Sequence, residues 1–218
     1  MTTDTPCRCG VSDNIAFAIN ALPNRWKLRE LNWFIESYPA GLDPAAVDAV
    51  FTEACRQWSL VTNMAFKRTH AQGLAHILVR VRSGPAFGLD GKGNIVALGQ
   101  LPPWDDYVNQ LLITLDAEER WATGIGVNSV QLAPVLRHEL GHVLGLTHST
   151  LSGQLMSQGA LTVATPQADD RRRMQELYGP PVGAPPPPPP PPPAADVVTA
   201  AFVTSDGKHY SGTVPRVA

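Results

Sequence analysis

The chain has 218 residues, 44% of them hydrophobic, a formal net charge of -2 and three cysteines. This mild balance makes no electrostatic case for nucleic acid or an anionic membrane surface, and no apolar run reaches the ~20 residues of a membrane span. Three cysteines do not make a disulfide framework, so length and composition indicate one compact domain with attachments.

In chain order, Met1-Thr2-Thr3-Asp4 lacks the basic and apolar regions of a signal peptide. Cys7-Arg8-Cys9 follows; a thiolate is a strong zinc ligand, and the pair also suits metal binding or oxidation, or is incidental to a tail. Asp43 to Trp58 predicts an amphipathic helix: Asp43 caps it, Pro44 suits its first position, and Val47, Val50, Phe51, Ala54 and Trp58 share a stripe. Cys55 beside that stripe reads as a buried core thiol. Short β-rich runs follow at Met64 to Lys67, Ala75 to Val81 and Leu111 to Leu115. His70, His76 and His209 have no partners at ligand spacing and read as surface or strand histidines.

A second helix is expected from about Gln131, with Pro134 in its first turn, where a missing amide costs little. It carries His138-Glu139-Leu140-Gly141-His142-Val143-Leu144-Gly145-Leu146-Thr147-His148. Residues four apart on a helix share a face, so the imidazoles of His138 and His142 reach one ion. Gly145 is placed to end the helix, because glycine enters the left-handed region without a Cβ penalty, and the returning chain delivers His148. Three protein ligands and an open position are what a hydrolytic zinc requires, with Glu139 beside them as general base on the attacking water.

This string is the zinc signature of the metzincin metalloproteases, and the rest of the chain resembles their matrixin branch. Ser149 follows the third histidine as in matrixins, Leu155-Met156-Ser157 resembles the Met-turn, with Met156 beneath the histidines, and Ala168 to Gly179 resembles the C-terminal helix. Arg25-Trp26-Lys27 and Leu31 to Ile35 resemble the entry and first strand. The resemblance implies an α+β, zincin-like fold with a twisted, mostly parallel five-stranded sheet, an antiparallel edge strand and three helices. Asp90-Gly91-Lys92-Gly93-Asn94 resembles the calcium loop, with Asp116 and Glu119 as further carboxylates, making calcium a second candidate cofactor. No structural zinc is expected, since Val81-Arg82-Ser83, Ala97 or Leu98, and Thr114 stand where its ligands would be. The strand at about Asn94 to Gly99 would pair with extended substrate, with Val135, Gln158 and Ala160 at a hydrophobic pocket lacking the usual Pro-x-Tyr wall.

Cys7 to Asp13 resembles the family's cysteine switch, which would put Cys9 on the zinc and keep the chain latent. Residues 1–24 then read as a truncated propeptide and 25–179 as the catalytic domain. Residues 180–195 are a linker in which Pro185 to Pro193 form a polyproline II spacer of ~28 Å, with a ligand for a proline-binding module as the rival reading. Residues 196–218 resemble the opening strands of a hemopexin repeat, too short to fold as a propeller and expected to be disordered. The resemblance implies a secreted, monomeric zinc endopeptidase acting on protein or peptide, with no nucleic-acid partner, although no signal peptide is visible in this chain. The alternatives are a permanently latent, zinc-bound peptide-binding module and a structural or adhesion role.

Overall fold

The computed structural model describes residues 8–9, 25–102, 109–159, 162–183, 197–203 and 209–215. By internal contacts residues 1–183 form one unit and 184–218 another. In the first, the expected stripe does form a helix, α1 (Pro44–Ser59), with the Asp43 side chain accepting from the Ala45 amide at 3.2 Å and Pro44 in the first turn. Val47, Phe51, Ala54 and Trp58 are fully buried along it, and Val50 packs at the margin. Cys55 is buried and free, and burial raises its thiol pKa.

The strands are β1 (Arg8–Cys9), β2 (Glu30–Ile35), β3 (Ala65–Arg68), β4 (Ile77–Arg82), β5 (Ile95–Gly99) and β6 (Leu111–Asp116). They form one sheet in the order β1-β5-β6-β4-β2-β3. β3, β2, β4 and β6 run parallel to one another, which long crossovers such as α1 make possible, and β5 is antiparallel to β6. β2 to β6 are the expected five-stranded, mostly parallel sheet with antiparallel β5 at its edge. The two-residue β1 pairs parallel to β5, with Arg8 opposite Ile95 and Cys9 opposite Ala97, and covers that edge. A two-residue strand leaves too little periodicity to be read from sequence.

A parallel pair, β7 (Trp121–Ala122) and β8 (Val130–Gln131), leads into α2 (Leu132–Val143), which packs against α1, β5 and β6. The helix α3 (Ala168–Tyr178) closes the unit. The core joins Leu31, Trp33 and Ile35 of β2 to Ile77 and Val79 of β4, Ile113 and Leu115 of β6, and Leu136 and Leu140 of α2. Trp33 meets Phe51 edge-to-face at 5.0 Å, and Trp58 donates its indole N–H to the Arg137 carbonyl at 3.0 Å, tying α1 to α2. His76 accepts the Asn32 amide on Nδ1 at 2.8 Å and sits edge-on to Trp26, a structural contact, while His70 is exposed.

In the second unit, β9 (Val197–Val203) and β10 (His209–Pro215) pair antiparallel from Val203–His209 to Val197–Pro215. The β-prone run of Val, Thr and Phe at 197–203 favours a strand. The side chain of His209, the Asp13 and Cys7 positions and the proline tract lie outside what is described.

Because Phe51 is fully buried against Trp33, Phe51→Ala is expected to cost about 3–5 kcal/mol by chemical denaturation. A loss below about 1 kcal/mol would contradict this packing.

Candidate metal centre and active site

The end of α2 sets the site. Gly145 has φ +103, its amide donates to His142 O at 2.8 Å and the Leu146 amide to Gly141 O at 3.0 Å, the paired bonds of a Schellman termination. The last carbonyls are also satisfied, Val143 O by the Trp26 indole at 2.8 Å and Leu144 O by the Tyr178 hydroxyl at 2.7 Å. The helix therefore stops at a defined point, and the chain turns back to bring His148 beside its own last turn. Ring centroids of the three histidines are 4.8, 5.3 and 4.7 Å apart for 138–142, 138–148 and 142–148.

Two backbone carbonyls decide which nitrogen faces inward. His138 Nδ1 lies 2.7 Å from Leu155 O and His142 Nδ1 lies 2.7 Å from Leu146 O. A carbonyl only accepts, so Nδ1 carries the proton in each ring and a neutral ring leaves Nε2 bare. Burial, reinforced by His138 and His148, holds the pKa of His142 well below the ordinary value, so it is neutral. The two Nε2 atoms stand 3.1 Å apart. At that separation both nitrogens can bind a single cation.

Cys9 completes the set. Its Sγ is 3.3 Å from His142 Nε2, and the ligand atoms of Cys9, His138, His142 and His148 all lie within 4.8 Å of one another. Tetrahedral zinc bonds of about 2.0–2.3 Å place neighbouring ligand atoms about 3.3–3.7 Å apart, so the cluster fits one such ion with small adjustments. Three imidazole nitrogens and a thiol are also the donor types zinc prefers.

Glu139 is fully buried at the same place, with Oε2 accepting from the Cys9 thiol at 3.4 Å and Oε1 without a hydrogen-bond partner among the described residues. Burial raises its pKa to about 8, opposed by its hydrogen bonds to Cys9 and Gly99. A divalent cation alongside would pull that value down by favouring the carboxylate. β5 passes close enough that a Cβ on Gly99 would meet Glu139 O at 2.5 Å.

Comparison with known proteins agrees with this geometry. The peptidase M10 family model described as Matrixin matches residues 25–179. The chain belongs to the matrixin family. It is 34% identical to stromelysin-3 of Rattus norvegicus over 194 residues, covering 83% of this chain and 38% of that protein. Interstitial collagenase of Oryctolagus cuniculus is 31% identical, covering 79% and 37%, and matrilysin of Mus musculus is 31% identical, covering 79% and 66%. This matrixin chain thus spans well under half the length of the stromelysin-3 and collagenase relatives.

The matrixin site rests on groups that the signature does not announce. Asp170 of α3, fully buried, accepts the amides of Leu155 at 2.8 Å, Met156 at 3.1 Å and Gln167 at 2.8 Å. It thereby holds the turn whose Leu155 carbonyl orients His138. Gly141 is the second such group: a Cβ there would meet Met156 Sδ at 2.4 Å and Trp58 Cζ2 at 3.0 Å. Its signal is visible in hindsight, since a glycine inside a helix is disfavoured unless packing demands it.

Other predicted residues are not brought together. Asp90 is turned into its own loop, accepting from Asn94 Nδ2 and, at 2.9 Å, from the Ile95 amide. Glu119 accepts from the Gly93 amide, and Asp116 accepts the Glu118 amide at 2.8 Å. The acidic segment does reach the glycine loop, but among the described residues the Cys9–histidine cluster is the group of three or more converging metal-ligand side chains. Val135 belongs to the core, Gln158 is exposed, and Ala160 lies outside the described residues.

Given the space beneath position 141, Gly141→Ala is expected to cost about 1–3 kcal/mol by overpacking against Met156 and Trp58. Thermal melting of the metal-loaded protein checks this, and an unchanged or raised Tm would refute it.

Proposed function

We propose that this chain is a zinc-dependent endopeptidase in which His138, His142 and His148 hold the metal and Glu139 is the general base. The supporting observation is the convergence of imidazole nitrogens of His138, His142 and His148, two of them 3.1 Å apart, beside a fully buried carboxylate. Zinc bound there would acidify a water ligand and polarise the scissile carbonyl. Glu139 takes the proton of the attacking water on its carboxylate and passes it to the leaving amine, a shuttle its position next to the ligand cluster favours. Extended protein or peptide substrate adds to β5 as a further strand, so backbone is read along Ile95–Gly99. Family membership supports an extracellular setting for this activity. Calcium forms no part of the proposal.

Cys9 gives the same site a latent form. Its thiolate is the fourth ligand, and β1 occupies the β5 edge that substrate needs, so both the open metal position and the strand slot are filled. Cleavage between about Asn14 and Trp26 releases both, and oxidation or alkylation of Cys9 frees the metal position.

Glu139→Ala is expected to lower peptide hydrolysis by at least about 10²–10⁴-fold while zinc content stays equimolar; full activity in this variant would sink the mechanism. Cys9→Ser is expected to be active against a fluorogenic peptide before any proteolysis, whereas the parent chain becomes so only after its N-terminal segment is removed. Equal activity of the two intact proteins would count against latency.

A further inference from the structure

His148 arrives on a loop, whereas His138 and His142 sit on α2, so its direction depends on what holds residues 147 and 149. Ser149 is held from one side: its hydroxyl donates to Asp169 Oδ2 at 2.8 Å and its amide to Met156 O at 2.7 Å. Thr147 is held from the other by Arg173 of α3, whose Nη2 donates to the Thr147 carbonyl at 3.0 Å and to its hydroxyl at 2.9 Å. The Arg173 side chain is only 20% exposed, and Nη1 lies 3.7 Å from Asp169. Arg173 and Asp169 are one turn apart on α3, so the helix presents both grips on one face.

Charge and geometry pull in opposite directions at this residue. The positive charge of the guanidinium opposes a divalent ion bound nearby. A loop fixed in advance favours the ion instead, because the ligand need not be ordered on binding. We infer that Arg173 is a positioning residue for the metal centre: it clamps Thr147 so that His148 faces His138 and His142, and this preorganisation outweighs the repulsion of its charge. The inference rests on the zinc reading above and extends it to a residue outside the signature.

The test uses the full chain, stripped of metal, with zinc affinity measured by competition with a chromogenic chelator and the ligand field read from the visible spectrum after cobalt substitution. Arg173→Met keeps an unbranched stem without the fork or the charge, and is expected to lose about 10–100-fold in zinc affinity and to alter the cobalt spectrum. Arg173→Lys keeps the charge but not the planar fork, and should recover only part of the loss. A methionine variant that binds zinc as tightly as the parent, or more tightly, overturns the inference and leaves the zinc reading standing. A parent chain that takes up no zinc overturns both. Should Arg173→Met fail to fold, Arg173→Lys and Thr147→Val decide the matter, and unchanged affinity in both overturns the inference.

Discussion

The hydrogen bonds from His138 Nδ1–H to Leu155 O and from His142 Nδ1–H to Leu146 O set the terms for the rest of the molecule. They commit both rings to one tautomer and turn two lone pairs towards a common point in a dry interior. The two Nε2 atoms stand 3.1 Å apart, a spacing at which both can bind one cation. The carbonyls come from the two chain reversals that follow α2, the Schellman end at Gly145 and the turn at Leu155–Met156. Helix termination and ligand orientation are therefore a single event.

The surrounding elements divide into a rigid half and a braced half. On the rigid side, α2 is pressed against β5 and α1, with contacts so close at Gly99 and Gly141 that no side chain fits. On the braced side, the described residues between Gly145 and α3 form only an isolated bridge, Ser149 with Ser157. α3 supplies their order through Asp169, Asp170 and Arg173 on adjacent turns. Burial of Glu139 follows from the same crowding and explains its raised proton affinity.

Local patterns were legible in the sequence because their causes are local. Asp43 with Pro44, the stripe through Phe51, and the helix carrying His138 and His142 need only 3.6-residue spacing and capping chemistry, and Gly145 needs only its freedom at positive φ. What escaped involves partners distant in sequence. Asp170 lies in the first turn of α3, yet its oxygens reach back to Leu155 and Met156. Arg173 is one of three consecutive arginines, and its bond to Thr147 spans 26 residues of sequence. The glycine loop and the acidic segment were grouped by resemblance, and the contact between them, Gly93 N–H to Glu119, spans 26 residues of sequence.

The pairing of Arg8–Cys9 with β5 carries a cost beyond chemistry. An uncovered sheet edge offers its amides and carbonyls to any extended chain, including another copy of the same protein. While β1 is in place that edge is shielded. Under the latency proposed above, its departure would leave the same backbone open to self-association as to substrate, so the strand would guard solubility as well as the metal position.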